Sequence, residues 1–335
     1  MPGTYGTPML DALSRTYRDY DIMTDPYVLH LVERSKTDHQ SSTALEKAIM
    51  QRKTYCTEQL KSLLTKAEAM MKELGPSPTE WYLKQCLNKY HKMAQTNDEQ
   101  LLNWSSKEKQ HLAALLRKID ITGTGNHSSI SFDGLSPKVE SLTDVLLAEW
   151  SPDFTGIVFV EQRAWVAALG EILSTHPHTK GLFSVGTFVG TSNSSKRRGN
   201  VGDLAEVRNQ LDTLEHFRTG KVNLVLATSV LEEGIDVPSC HLVICFERPK
   251  NLKSFIQRRG RARRQKSELI LFTEDSDKGA SPTNWESLEK DMKEVYLNDL
   301  REVDLAKQKE QEPEDGDLTY KVPGTGYALT HPIAR

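Results

Sequence analysis

Cysteine is scarce: four in 335 residues, at positions 56, 86, 240 and 245, with no Cys-x-x-Cys pair among them. That excludes a disulfide scaffold, and no histidine cluster completes a zinc site, so no metal site is expected. A reducing compartment is the expectation, the cytoplasm first and the nucleus second. No run of 18 apolar residues occurs, so nothing is expected to cross a membrane. The opening stretch, MPGTYGTPMLDALSRTYRDYD, has no apolar targeting core. Net charge is also slight, 43 Lys+Arg against 46 Asp+Glu for a balance of −3. This excludes a histone-like polycation but leaves room for a local basic stripe. Two chemical signatures are missing as well. There is no Gly-x-x-x-x-Gly-Lys-Ser/Thr loop to cradle phosphates, and no Asp-Glu-x-His or Asp-Glu-x-Asp to hold magnesium and activate water.

The residues that are present change character near position 150. At 37% hydrophobic, the chain has a lean core, and its length allows about two domains. Residues 8–149 read as helices. Thr43-x-x-Glu46 has the form of a capping box, and Leu45, Ile49, Cys56, Leu60, Leu63, Ala67, Met70 and Leu74 follow at helical spacing. The pattern predicts one long amphipathic helix, stopped by Gly75-Pro76. A second helix starts at Pro78-Thr79, and a third carries Leu112, Leu115, Leu116 and Ile119. Ser136-Pro137 places a cap and a first-turn proline before Val139, Leu142, Val145 and Leu146.

From 156 to 272, short apolar runs alternate with helical segments. Strands are expected at Ile157–Val160, Val185–Val189, Leu224–Thr228, Leu242–Phe246 and Leu269–Phe272. Helices are expected near Ala164–Leu173, Leu204–Arg218 and Leu252–Arg259. Continuously apolar strands separated by helices indicate a parallel sheet covered on both faces. Residues 284–310 read as helical, Gln311–Asp317 as an acidic linker, and the last stretch as the start of a strand-containing unit.

Two segments carry chemistry. Gln257–Arg264 holds five arginines in seven positions, too many charges for a buried helix face, and guanidinium groups suit bidentate grip on phosphate. Taken alone, it equally fits a solvated basic helix end. Upstream, Leu226–Val237 runs from a strand into Thr228-Ser229, then Gly234 and Asp236. Ligands of open α/β sheets bind beyond the carboxyl ends of strands, where those hydroxyls fall. Asp236 suits a ribose hydroxyl or an arginine.

Together these segments resemble the superfamily 2 helicases. Ile157–Arg163 resembles motif IV, Val189-Gly190 the element after it, Ala227–Val237 motif V and Gln257–Arg264 motif VI. The Glu-Glu-Gly-Ile-Asp and Gln-x-x-Gly-Arg forms are similar to the double-stranded-RNA branch, in which a helical insertion separates two RecA-like lobes. Leu318–Val322 and Thr325–Thr330 are similar to the start of the dimerisation domain of Dicer. The family resembled is the Dicer-like proteins of fungal type.

The resemblance implies an organisation and a set of roles. Residues 1–150 are expected as the helical insertion domain, with 151–278 as the α/β RecA-like C-terminal lobe. Residues 279–310 would be a helical extension, and 311–335 a linker and the start of a truncated dimerisation domain. Arg261 and Arg264 are implied as arginine fingers toward ATP, with Arg263 in close competition. Gln257, Gly234 and Asp236 would bind ATP, and Thr228, Ser229, Gly190, Gln162 and Arg163 would bind RNA. ATP and Mg2+ are implied as cofactors only together with a first RecA lobe. The chain reads as an internal piece without that lobe or the ribonuclease III domains, so alone it is expected to be inactive. Duplex RNA is the implied partner, with a double-stranded-RNA-binding protein as a second one. Lys84, Lys89, Lys107, Lys109 and Lys118 are candidate backbone contacts, although helix surfaces are routinely charged. Two other readings stay open: a non-catalytic RNA-binding module, and a DNA-repair helicase of the same superfamily.

Overall fold

Capping side chains set where the helices of the first half begin. The structure, a computed structural model, describes residues 6–95, 105–119, 129–190, 200–204, 210–232, 235–264 and 266–273, with Ser287, Lys290, Glu294, 319–321 and 328–330 beyond them. Thr7 caps α1 (Pro8–Arg18) and Asp25 caps α2 (Pro26–Ser35). Asp38 caps α3 (His39–Gln51) through the amides of Gln40 and Ser41. The long helix expected from Thr43 to Leu74 is therefore two helices. Thr43 lies inside α3, where its hydroxyl donates to the His39 carbonyl at 3.3 Å. Arg52 leaves the helix in the left-handed region at φ 47°, and Thr54 with Thr57 forms the capping box that opens α4 (Tyr55–Leu74). The break is held from outside. Thr54 Oγ1 donates to the fully buried Asp25 carboxylate at 2.6 Å, and Arg52 Nη2 donates to the Tyr20 carbonyl at 2.8 Å.

Gly75 alone separates α4 from α5 (Pro76–Gln95), so α5 begins two residues before the expected Pro78. Its φ of 101° and ψ of 179° lie where glycine is essentially the sole occupant. A Cβ there would fall 2.6 Å from the Gly134 carbonyl oxygen and 2.8 Å from the Ser136 amide nitrogen. α6 (Ser106–Arg117) and α7 (Pro137–Ala148) follow, and Ser136 caps α7 as its sequence indicates.

The second half is a five-stranded, all-parallel sheet. Its strands are β1 (Gly156–Phe159), β2 (Val185–Phe188), β3 (Leu224–Ala227), β4 (Leu242–Cys245) and β5 (Glu268–Leu271). Its helices are α8 (Arg163–Thr175), α9 (Gln210–Arg218) and α10 (Leu252–Arg259). The strand order is β2-β3-β1-β4-β5. Every residue of β1, β3 and β4 is buried, as a sheet covered on both faces requires. Each expected strand is found within about a residue, and α10 has the expected bounds.

Alternation along the strands sorts two cores. Val158, Leu224, Leu226, Leu242 and Ile244 join α8 and the helices of the first half in one cluster. Ile157, Phe159, Val225, Ala227 and Val243 face the other way, onto Phe188, Phe217 and Leu231. The first cluster is continuous from Leu60, Leu63 and Tyr82 through Trp165 and Leu169 to the sheet. Polar links reinforce the seam: the Tyr82 hydroxyl donates to the Gly202 carbonyl at 2.7 Å, and the Val201 amide donates to Gln59 at 2.8 Å. Residues Met1–Ser276 accordingly form one compact unit. At about 1.5–3 kcal/mol per buried large side chain, this shared core outweighs any single polar contact.

A second unit spans Asp277–Arg335. In it β6 (Thr319–Lys321) pairs antiparallel with β7 (Ala328–Thr330), within the two stretches expected to begin a new domain. Ser287, Lys290 and Glu294 are helical, and the rest of the helix expected at 284–310 lies outside the described residues, as does the acidic linker. Among the described residues no helix is long and apolar enough to cross a membrane, and no group of His, Cys, Asp and Glu is arranged to hold a metal ion.

Gly75→Ala should destabilise the first unit by roughly 1–3 kcal/mol from backbone strain alone, before the clash with Gly134 is added. Gly220, at φ 75° with open space around it, should tolerate alanine at smaller cost. Urea denaturation of both variants checks this, and equal losses would show that the close approach at Gly75 contributes nothing.

Candidate functional site

The candidate residues divide between the two ends of the parallel sheet. At the carboxyl ends, β1 runs into Gln162, which precedes α8, and into the exposed Arg163. β3 runs into Thr228, whose amide donates to the Phe188 carbonyl at 3.1 Å, and into the exposed Ser229, the first residue of a short 3-10 turn. β2 leads to Gly190, whose backbone passes Val230. Thr228, Ser229, Gly190, Gln162 and Arg163 thus share one edge.

At the amino ends lie the arginines and Asp236. Helix α10 starts beyond the carboxyl end of β4 and runs back, and Cys240, just before β4, bridges to Ala262. Arg261 is 8% exposed, and its two terminal nitrogens donate to the carbonyls of Ile235 at 2.8 Å and Glu232 at 2.9 Å. Arg264 donates to the Ser239 carbonyl at 3.0 Å, and its Nη1 lies 2.6 Å from His241 Nε2. Its Nη2 donates to the hydroxyl of Thr155 at 3.3 Å. Thr155 and His241 immediately precede β1 and β4, so Arg264 is engaged at the foot of the sheet. Burial, aided by Arg264, lowers the pKa of His241 and favours the neutral imidazole. Arg263 is exposed, with only its Nε turned onto the Gly260 carbonyl at 2.6 Å. Asp236 is exposed, and its carbonyl takes two bonds from Arg218, at 3.2 and 2.8 Å. Gln257 is half-buried on α10, and Gly234 lies outside the described residues.

One charged residue reverses the sequence expectation. The arginine run was expected to be unable to form a buried face, yet Arg258 is 1% exposed. Two carboxylates make this tolerable, because a buried charge needs partners that replace its water. Arg258 Nε donates to Glu232 Oε1 at 2.7 Å, and Nη2 donates to Glu161 Oε1 at 2.8 Å. The guanidinium carbon sits 5.0 Å from the centre of the Phe159 ring. Ser254 donates to the second Glu232 oxygen at 3.0 Å, and Lys250 pairs with Glu161 at 2.6 Å. Burial opposes the charge on Glu161, but Lys250 and Arg258 outweigh it and hold the carboxyl below its ordinary pKa. Sequence reading passed over Glu161 and Glu232; the available signal was an acid directly after each of two neighbouring apolar strands or their turns.

Beside this node, Glu247 follows β4 and accepts from the Glu161 amide at 3.2 Å. Lys138 of α7 pairs with Glu73 of α4 and covers the Phe246 ring at 4.5 Å. Among the candidate lysines, Lys84 and Lys89 lie on α5, Lys107 and Lys109 on α6, and Lys118 at the end of α6.

The parallel order, and the motifs at its two ends, define the α/β half as the C-terminal lobe of a helicase; the helicase conserved C-terminal domain family matches residues 137–266. Dicer-like protein 2 of Phaeosphaeria nodorum is 48% identical over 326 residues, covering 96% of this chain and 23% of that protein. Dicer-like protein 2 of Aspergillus fumigatus is 37% identical over 335 residues, with the same two shares, 96% and 23%. Among solved structures, the C-terminal domain of the DEAD-box protein Dbp5 aligns with a TM-score of 0.32 and 21% identity, over 41% of this chain and 70% of that one. The chain belongs with the fungal Dicer-like proteins, as a stretch of their helicase region. It spans under a quarter of the length of the curated relatives it matches.

Burial raises the Glu247 carboxyl to about 8, with Glu161 and Glu73 adding to the rise and the Glu161 amide and Lys138 opposing it. The folded state therefore favours the protonated form. Its stabilising effect is complete below the ordinary carboxylate range and is lost as pH rises through about 8. Through this group the chain should lose on the order of 2–3 kcal/mol between about pH 6 and 9. Glu247→Gln, neutral throughout, should flatten that slope in thermal melts. Parallel curves for the two proteins would show an ordinary carboxylate.

Proposed function

We propose that this chain supplies the second RecA-like lobe and the helical insertion of a Dicer-like enzyme, in which ATP turnover accompanies binding of double-stranded RNA for RNA silencing and antiviral defence. The observation that carries this reading is the separation of the two candidate sets. Hydroxyls and backbone at the carboxyl edge offer a phosphate-tracking surface, while the segment after α10 carries Arg261, Arg263 and Arg264 to the opposite end. Duplex RNA would be read through its backbone and 2′-hydroxyls, because its deep groove admits no side chains.

The residues fit ATP in part. Guanidinium groups at 261 and 263 are suited to the charge that spreads over a transferring phosphoryl group, a contribution worth ~10³–10⁵ in rate in related nucleotide hydrolases. Asp236, which is exposed, would accept from a ribose hydroxyl, and Gln257 would contact the nucleotide or a neighbouring motif. Among the described residues no group of three or more His, Cys, Asp and Glu is arranged to hold a metal ion. Metal ligation and the phosphate cradle would belong to a separate RecA lobe. Arg261 and Arg264 are both engaged by the fold, Arg261 through the carbonyls of Glu232 and Ile235 and Arg264 at the foot of the sheet through Ser239, His241 and Thr155; we take Arg261, with the exposed Arg263, as the finger set.

In a full-length enzyme carrying this segment, Arg261→Lys and Arg263→Lys should each lower RNA-stimulated ATP turnover at least ten-fold with little change in KM for ATP. Lysine keeps the charge but not the two-pronged fit to phosphate oxygens. Arg264→Lys should reduce thermal stability more than turnover. The reverse order would return Arg264 to the catalytic position.

The chain by itself should release phosphate from Mg-ATP no faster than buffer. It should bind duplex RNA with roughly micromolar affinity that weakens as salt rises, since phosphate contacts act by releasing counterions. A gel-shift salt series with duplex RNA, duplex DNA and branched DNA tests this. Salt-insensitive binding or preference for branched DNA would replace the reading with a repair helicase, and RNA-stimulated turnover by the chain alone would overturn the division of labour.

A further inference from the structure

We infer that Arg258 is a positioning residue that ties the carboxyl edge of the sheet to Arg261, through the two carboxylates it holds. The inference rests on the reading above, that the carboxyl edge meets RNA and Arg261 meets ATP.

The geometry is a short, continuous chain of contacts. Glu161 lies two residues beyond β1 and directly precedes Gln162 and Arg163 at the carboxyl edge. Its carboxylate takes Arg258 Nη2 at 2.8 Å. From the same guanidinium, Nε reaches the Glu232 carboxylate at 2.7 Å, and Glu232 follows the Thr228–Leu231 segment at the end of β3. The Glu232 carbonyl then receives Arg261 Nη2 at 2.9 Å. Two arginines from α10 and its end therefore grip the two polar ends of one residue, Arg258 its side chain and Arg261 its backbone. A displacement of either strand end moves Glu161 or Glu232, and the rigid planar guanidinium passes it on.

Burial makes this linkage stiff. Arg258 is 1% exposed, so water cannot substitute for a carboxylate that moves away. Breaking one partner of a buried pair is far more costly than breaking a surface pair, so the two carboxylates and Arg258 shift as a unit. Arg258 also carries a reserve. Its Nη1 is buried with no acceptor in this arrangement, and an unmet buried donor is a cost that a shifted arrangement can relieve. Ion pairs that merely hold a surface together have no such property, as with Lys53–Glu58, which is largely exposed.

The test uses the full-length enzyme, measuring ATP turnover across a titration of duplex RNA together with RNA binding and melting temperature. Arg258→Met removes both bonds. Arg258→Lys keeps the charge but cannot span both carboxylates. Glu161→Gln weakens one arm while leaving the fold's apolar contacts intact. Turnover at saturating RNA should fall at least ten-fold in both Arg258 variants and about three- to ten-fold in Glu161→Gln. KM for ATP and Kd for RNA should stay within about three-fold. If Arg258→Met does not fold, the Lys and Gln variants carry the decision. Unchanged turnover in folded variants overturns the inference, and so does a parallel loss of turnover, RNA binding and melting temperature, the mark of a purely structural residue. A wild-type enzyme without RNA-stimulated turnover overturns the functional reading itself, an outcome separate from failure at Arg258.

Discussion

Helix α8 is buried all the way round from Ala164 to Gly170, and the architecture follows from the need to cover both of its sides. Nine of its residues, from Ala164 to Leu173, are buried. A helix of that kind is stable only inside a protein. One side packs on β2 and β3, closely enough that a Cβ on Gly170 would fall 2.9 Å from the Thr187 methyl. The other side packs on α4 and α5. The sheet thus recruits α8, and α8 recruits the helical half. No linker between the halves would satisfy this constraint, which is why a change of sequence character near 150 coincides with no gap in the core.

Charge is handled differently at the two ends of the sheet. At the carboxyl ends, buried carboxylates and one buried guanidinium neutralise each other, and Glu247 meets the same shortage of water by holding its proton more tightly. At the amino ends, Arg261, Arg263 and Arg264 bind carbonyl oxygens rather than carboxylates, Arg264 adding His241 and Thr155, so their charge is not neutralised by a partner. The same residue type therefore serves two purposes eleven or fewer ångströms of chain apart in principle, about three residues at the extended limit. A carboxylate partner turns an arginine into structure, whereas a carbonyl partner leaves its charge uncompensated.

Much of the sheet was legible because parallel strands repeat a simple rule. Runs such as Leu224–Ala227 and Leu242–Cys245 admit no polar residue, so their ends are marked by the first hydroxyl or charge. The start of α7 was legible for a similar reason, Ser136 and Pro137 both favouring one position. The break at Arg52 was not legible. Apolar spacing continues across it, and what interrupts the helix is Asp25, distant in sequence, accepting from Thr54. Arg258 was illegible for the same reason: its neighbours in sequence are charged, and only Glu161 and Glu232, brought in from other elements, make its burial affordable in energy. Motif order made Thr228 and Arg261 candidates, but the contacts that engage Arg264 with His241 and Thr155, and Arg261 with Glu232 and Ile235, join distant segments and no local pattern records them.

The seam between α8 and the helical half has a consequence for how such proteins diverge. Tyr82 and Leu63 on one side and Trp165 and Leu169 on the other fill a common volume. Close packing leaves no slack in which one side can change size alone. The two segments must therefore drift in concert, an enlargement on one matched by a reduction on the other. Exchanging the helical half between distant members of the family would require transplanting the outer surface of α8 with it. The unit of inheritance at this junction is the interface, and it runs across the point where the sequence changes character.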